Sequence, residues 1–426
     1  MAYLDMAAPD VFKAATRSGV EWWTTVGAAI GGTSVATGLL PVGGTITDTT
    51  APGVRRVLNV DLAPDVGQTA DELYNLISEW GTLLTVTGHV RLTGRTVVDI
   101  PMGVFDVDKS KVSGGNGQVS LTAPDKWAKV QRARFVLPQA STPGLLVTEQ
   151  IAALIRGALG AAEPVVITAT STATVGAMTW EKDRDKAIID LADGIGAWVF
   201  FDRTGLATIA DVPTTTGAAD WLIDAGVSGV LIDIDREKSR EGAANVWVVE
   251  SSAADEAKFP TVVVWDIESA SPTFAGLDPT SPSNVPGPFG VVTGYLDTPI
   301  LATEDQARQA GYTRLSRSVG ASSSVSLGSV PNLAVDAFDV LDVLPPHKSQ
   351  TIITGYRGGG SGFGTMPFGT GPFGAGSGGG VPILGRASVG AVMERHVADT
   401  VTHPLTIGSP QTIEGRSTRT VEAGSS

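Results

Sequence analysis

Short runs that alternate polar and apolar residues, separated by glycine turns, predict a mainly β protein with a small α+β insertion. Three observations support this class. Residues 55–62 alternate over most of their length, the period of a half-buried strand. Residues 148–158 and 183–195 instead place apolar side chains at helical spacing, and both runs fall mid-chain. Strand-like runs then resume from residue 230.

Composition bounds the chemistry. The 426 residues include 44 acidic and 30 basic ones, a formal charge of −14, and no cysteine. Without cysteine there is no disulfide framework, thiolate metal site or thiol nucleophile. The acidic balance argues against a basic nucleic-acid reader, because phosphate binding needs excess Lys and Arg. Global disorder is also excluded, since 42% of residues are hydrophobic and 17% charged. That low charge content suits a large core or a subunit buried among neighbours. The length suits two or three domains.

Residues 22–47 contain no charge and follow Lys13 and Arg17, which mimics a signal peptide or a membrane span. Gly27, Gly31, Gly32, Gly38, Gly43, Gly44 and Pro41 interrupt it, so it reads as strands with glycine turns and the protein as soluble and cytosol-made. Further strands are expected at 83–92, with Gly88 as a bulge, and at 96–100, 103–107 and 119–122. Gly114–Gly117 marks a turn. A helix is expected over 69–77, with Asp71 and Glu72 in its first turn. Lys126, Lys129, Arg132 and Arg134 cluster beside Trp127. They read as the solvent face of a strand, or as a contact patch for an acidic neighbour.

The central module continues with strands at 165–169, 197–201 and 206–210. The last two are joined by Asp202-Arg203-Thr204-Gly205, a hairpin turn in composition. Later strands are expected at 230–234, 244–249, 261–264, 323–327 and 335–343. A helix capped by Thr303 is expected over 303–314, and a last strand pair over 387–395 and 396–407. Residues 358–380 stand apart: 12 of the 23 are glycine. Such a segment has too much backbone entropy and too few apolar side chains to fold alone. It reads as an inserted loop, or as an extended segment whose Phe363, Phe368 and Phe373 anchor into a neighbouring subunit.

No catalytic, cofactor or metal set emerges. His396 and His403 are seven apart, an odd spacing that places them on opposite faces of a regular strand. No Gly-x-Ser-x-Gly elbow is present. Gly369–Gly374 matches the dinucleotide fingerprint by chance inside a glycine-rich tract, with no preceding strand. Asp183/Asp185 and Asp233/Asp235 read as solvated or capping acids. Asp336, Asp339 and Asp342 lack the glycine of a calcium loop.

The order of elements says more than any motif. Residues 39–62, 81–86 and 101–105 come first, then 180–211 with Asp193-Gly194-Ile195-Gly196-Ala197. Residues 303–315 follow, ahead of Pro331-Asn332-Leu333 and 339–343. In this order the chain resembles the hub-type minor tail proteins of actinobacterial siphophages. Those are similar to the baseplate hub of contractile tails and to the N-terminal part of tail-associated lysins. The resemblance implies a homotrimer with two tube-like β-barrel or sandwich domains per subunit, forming a pseudo-hexameric ring. Such a ring adapts the six-fold tail tube to a three-fold tip and passes DNA.

It further implies a structural virion protein of the tail tip, assembled in the bacterial host cytoplasm, with no enzymatic activity and no cofactor. Implied partners are the chain itself, the distal tail protein, the tape measure protein, and a tail fibre or spike, with DNA only in transit. The expected domains are 1–140, a first tube-like β domain; 141–215, a small α+β domain; and 216–357, a second tube-like β domain. The loop 358–380 and C-terminal strands over 381–426 complete the chain. An acidic lumen would keep DNA from sticking. A cell-wall hydrolase or a receptor-binding adhesin are the alternatives.

Overall fold

The structure is a computed structural model. It describes residues 20–92, 96–113, 117–212, 218–226, 229–251, 261–298, 303–320, 323–345, 348–357, 381–389, 393–417 and 423–425. Strands hold 44% of residues and helices 17%, so the mainly β class is what is found.

The first region contains β1 (Glu21–Ile30), β2 (Thr33–Leu39), β3 (Pro41–Thr49), β4 (Arg56–Leu62), helix α1 (Ala70–Leu76), β5 (Thr82–Arg91), β6 (Val97–Asp106), β7 (Lys109–Ser113) and β8 (Gln118–Pro124). The uncharged stretch from Trp22 does form strands. β1 and β2 make a hairpin through Gly31 and Gly32, whose φ angles of 57° and 83° match the two positive φ values of a type I′ turn. In α1, the Thr69 hydroxyl accepts from the Glu72 N–H at 3.2 Å, and the Glu72 carboxylate accepts from the Thr69 N–H at 2.8 Å. This reciprocal pair fixes where the helix starts.

Two expectations change here. The strands expected at 96–100 and 103–107 are one strand, β6, which continues through a bulge opposite Val86 and Thr87. Gly88 is not the bulge; it pairs in register with Ile100. Its missing side chain makes room for Leu333, whose Cδ1 would lie 2.7 Å from a Cβ there.

The central module holds α2 (Trp127–Arg132), β9 (Gln139–Ala140), α3 (Val147–Leu159), β10 (Val165–Ile167), β11 (Thr179–Trp180), α4 (Arg184–Gly194), β12 (Ala197–Phe201) and β13 (Ala207–Asp211). Ile151, Leu154, Ile155, Ile188 and Leu191 pack the two longer helices onto a β10-β13-β12 sheet. The basic cluster expected on a strand lies on and beside α2. Asp125, just ahead of this helix, accepts from the Trp127 N–H at 2.9 Å. The three-residue recurrence of Lys126, Lys129 and Arg132 was its sequence signal.

The last region holds β14 (Trp221–Asp224), β15 (Leu231–Lys238), β16 (Val246–Ser251), β17 (Val262–Asp266), β18 (Thr293–Thr298), α5 (Glu304–Gly320), β19 (Ser323–Ser329), β20 (Val340–Leu344), β21 (Lys348–Arg357), β22 (Val381–Val389), β23 (Glu394–Pro404), β24 (Gln411–Ser417) and β25 (Ala423–Ser425). Helix α5 outruns its expected end, and Thr303 does cap it, accepting from the Gln306 N–H at 3.3 Å. The expected final strand pair is absent. β22 pairs with β21, while β23 pairs with β24, β3 and β20. Of the strand expected over 335–343 only β20 forms, because the segment before it is a buried turn.

A ten-stranded sheet runs β15-β19-β24-β23-β3-β4-β8-β7, with β20 beside β23 and β14 beside β20. The pairing of β23 with β3, from Thr400 opposite Thr49 to Pro404 opposite Thr45, fuses the first and last regions. A four-stranded sheet, β2-β1-β5-β6, is the other principal layer. One core joins the two sheets, including Val26, Leu58, Leu84, Phe105, Trp221, Leu327, Leu341, Val401 and Ile413. A separate sheet, β18-β16-β17-β25, carries α5 through Ala307 and Ala310. Among the described residues no sheet closes into a barrel, which corrects the barrel form of the expected fold.

Gly44, with φ 124°, makes the tightest backbone approach in the fused sheet. A Cβ there would overlap the Asn59 carbonyl oxygen and lie 2.8 Å from the Val60 Cα. Gly44→Ala is expected to cost about 3 kcal/mol of unfolding free energy in a urea titration. Gly31→Ala, which has open space, should cost about 1 kcal/mol.

Candidate functional site

The chemistry-bearing side chains converge inside the molecule. Asp48 lies near the end of β3, and Arg55 and Arg56 lie at the start of β4, so the chain returns two guanidinium groups onto one carboxylate. Arg55 Nε lies 2.6 Å from Asp48 Oδ1, and Arg56 Nη2 lies 3.3 Å from Asp48 Oδ2. Arg56 also reaches Asp336 Oδ1 at 3.0 Å, and its Nη1 donates to the Phe201 carbonyl at 3.0 Å.

Arg203 arrives from the central module. The Asp202 carboxylate accepts from the N–H groups of Thr204 and Leu206, and Gly205 takes φ 80°, which together hold the β12–β13 turn tight. From that turn Arg203 Nε reaches Asp336 Oδ1 at 2.6 Å. Nη1 donates to the Leu333 carbonyl at 2.5 Å, and Nη2 to the Val335 carbonyl at 2.6 Å. All five charged groups are buried.

The electrostatics follow from geometry. Burial alone would raise the Asp336 carboxyl. The positive charges of Arg203, Arg56 and Arg55 outweigh it and hold that group well below the usual carboxylate range. Asp339, which accepts from the Asp336 N–H at 2.8 Å, is pushed well up by burial and then by the charges of Asp336 and Asp220. Asp125 accepts from the N–H groups of Arg55, Arg56 and Trp127, yet burial still raises it to about 6. Burial lowers His403 to about 4.

Aromatic rings close one side. The Arg55 guanidinium lies 4.6 Å from the Trp198 ring centroid and 4.8 Å from that of Phe200. Phe338 meets Trp198 edge-on at 4.2 Å. Its φ of 77° is the one positive value at a non-glycine among the described residues. With its charges buried and paired, the chemistry of this junction is cohesion.

The residues singled out in the sequence fall as follows. Lys126 pairs with Glu163, Lys129 with Asp106 at 3.2 Å, Arg132 with Asp106 and Asp108, and Arg134 with Asp183 at 3.4 Å. An acidic neighbour of each cation therefore lies in the same chain. Phe363, Phe368 and Phe373, like Gly369–Gly374, lie outside the described residues.

His396 and His403 share a face, against expectation. A bulge between Ala398 and Thr400 restores the parity, and both are buried. About seven strand residues, roughly 20 Å, separate them. Among the described residues no cluster of three or more metal-ligating side chains occurs. Asp336 and Asp339 belong to the junction, and Asp342 pairs with Arg395 at 2.8 Å.

One row was missed in the sequence. On the outer face of the four-stranded sheet, His89 Nε2 lies 2.9 Å from Thr25 Oγ1, and Nδ1 lies 2.7 Å from Asp99 Oδ1. Cross-strand register makes this row, since His89 stands opposite Asp99. It has the order of a nucleophile, base and orienting acid. However, Thr25 sits mid-strand between neighbouring strands, away from the helix N-terminus or turn that supplies oxyanion donors.

No protein-family model matches the chain, and no curated protein matches it. Among solved structures, the tail protein from Neisseria meningitidis MC58 aligns with a TM-score of 0.55 at 11% identity. It covers 93% of this chain and 96% of that one. The chain has the fold of a tail protein. The 43 kDa tail protein of prophage MuSo2 from Shewanella oneidensis aligns at 0.49, with 11% identity over 92% of this chain and 97% of that one. Prophage tail protein gp18 from Listeria monocytogenes EGD-e aligns at 0.47, with 8% identity over 93% and 95%.

Within this tail-protein fold, removing Arg203 takes from buried Asp336 its shortest ion pair and leaves the Leu333 and Val335 carbonyls without their donor. Arg203→Met is expected to cost about 4 kcal/mol in a urea titration. Adding Asp336→Asn should recover part of that loss, because the two residues are coupled.

The junction's pH response has two opposed parts. Asp125, raised to about 6 in the fold, adds stability that is complete below about pH 4 and lost as pH rises through 6. His403, lowered to about 4, adds stability that is complete above about pH 6.5 and lost as pH falls through 4. Between pH 7 and pH 4, His403→Gln should therefore gain about 2–3 kcal/mol on the wild type, and Asp125→Asn should lose about as much.

Proposed function

We propose that the chain is a structural subunit of a phage tail, the hub at its distal end. As a homotrimeric ring it adapts a six-fold tail tube to a three-fold tip and forms part of the DNA passage. The observation behind this reading is a tail-protein fold shared over nearly the full length of both chains. In this reading the virion's tail tip is its location and the host cytoplasm its place of assembly. Its partners are the distal tail protein, the tape measure protein, and a fibre or spike.

The sheet supports the six-from-three arithmetic. The first region supplies β3, β4, β7 and β8 to the long path, and the last region supplies β15, β19, β23 and β24. Each half thus presents four antiparallel strands, as two tube-like units per subunit require. Three such subunits present six. In this reading the first unit is residues 1–140, the second is 216–357 completed by the C-terminal strands over 381–426, and the α+β module, 141–215, lies between them. The −14 charge suits a passage that DNA must slide along without sticking.

Light scattering of the purified chain tests this. A trimer, seen as rings by electron microscopy, is the expected result. A monomer that clears host peptidoglycan in a zymogram would replace the hub with a hydrolase.

A further inference from the structure

The long sheet ends at β7 and β15, each paired on one side only among the described residues. An open edge is a template for another strand, and natural proteins guard such edges with charge. Here the two guards differ in sign.

On β7, Val112 packs against the core, so Lys109 and Lys111 point to the opposite face, where both are exposed. On β15, Ile234 packs against the same core, and the exposed Asp233, Asp235 and Glu237 point away from it. The lysines and the acids therefore occupy the same face of one sheet, at its two ends. None of the five has an ion-pair partner among the described residues. Flanking charges are paired within the chain: Arg236 with Glu394 at 2.9 Å, and Asp108 with Arg132 at 3.3 Å.

Strand direction permits the match. All seven pairings along the path are antiparallel, so its eight strands alternate and β7 runs opposite to β15. A second copy continuing the sheet sets its β15 antiparallel to the first copy's β7. Val112 would then extend the inward row begun by Ile234, and Lys109 and Lys111 would face the acids.

We propose that β7 of one copy pairs with β15 of the next, and that the lysine–acid match makes this contact head-to-tail. This rests on the ring reading above and names its contact. Like-with-like pairing is disfavoured, because β7 against β7 opposes lysines and β15 against β15 opposes acids. A head-to-tail contact closes into a ring when the rotation allows, whereas a two-fold contact stops at a dimer. The charges are exposed, so the contact weakens with salt, as the screening length falls from about 8 Å at 0.15 M to about 3 Å at 1 M.

Charge reversal tests this in the full chain. Lys109→Glu with Lys111→Glu, and separately Asp233→Lys with Asp235→Lys, should each raise the dissociation constant of the assembly about tenfold or more by sedimentation equilibrium. Uniting all four changes in one chain should bring it back to within about threefold of wild type, because the signs match again. Circular dichroism checks that each variant folds.

The absence of cysteine allows a second measurement that leaves most of the charges alone. Lys111→Cys combined with Asp233→Cys or Asp235→Cys should give covalently linked copies on a non-reducing gel; monomers from both pairs would overturn the contact. A trimeric wild type indifferent to all three charge variants would overturn this contact and leave the hub standing. A wild type that is monomeric at every concentration would remove the hub reading and the contact with it.

Discussion

Asp336 is a carboxylate largely shielded from water, and its charge is tolerable because three guanidinium groups converge on it. Each comes from a set place: Arg55 and Arg56 from the start of β4, and Arg203 from the β12–β13 turn. Asp336 itself lies in the turn before β20. Desolvating these ions costs several kcal/mol each, and only near-ideal geometry returns it. The three parts of the chain are therefore free to differ in surface detail but not in relative placement. A shift of one ångström at the junction would leave a dry charge unpaired. The left-handed Phe338 fits the same logic. Its N–H donates to the Ala398 carbonyl at 2.7 Å and its ring meets Trp198, so surrounding contacts hold a conformation that a phenylalanine otherwise avoids.

The shared sheet does by hydrogen bonds what the junction does by charge. β23 of the last region lies between β24 and β3, so the core beneath belongs to both regions at once. Close approach then dictates residue size. Gly44 admits the β4 backbone, Gly88 admits Leu333, and Gly205 lies where a Cβ would be 2.8 Å from Val104. In each case a glycine stands where one region passes another strand or loop, which explains part of the high glycine content beyond the tract at 358–380.

What was legible in the sequence is what local chemistry decides. The helix over 69–77 with Asp71 and Glu72 in its first turn, the glycine turn at Gly31-Gly32 and the faces of α3 and α4 depend on neighbours within a few residues, and each was readable. Helix α2 was misread because its four cations looked like a strand face, although Lys126, Lys129 and Arg132 recur every third residue. β6 was split in two because a bulge interrupts its alternation, and the histidines of β23 were placed on opposite faces for the same reason. The junction was invisible. Asp48, Arg56, Arg203 and Asp336 are scattered over nearly three hundred positions, and a single sequence does not encode which distant charges meet. Asp202-Arg203-Thr204-Gly205 showed the turn but not what its arginine reaches.

The same features bear on where such a protein can change shape. A hinge needs a segment crossed by few contacts, and ion pairs tie the central module to the last region at two separate places. Arg203 grips the turn before β20, and Asp193 of α4 meets Arg314 of α5 at 2.5 Å. The first and last regions share a sheet and a core besides. Bending anywhere between these parts would separate buried ions or break a ladder, costs comparable to a sizeable fraction of a domain's stability. The exposed edges β7 and β15 have no such ties. Their charges are wet, individually weak and screened by salt. In the proposed assembly, rearrangement is therefore cheapest between copies.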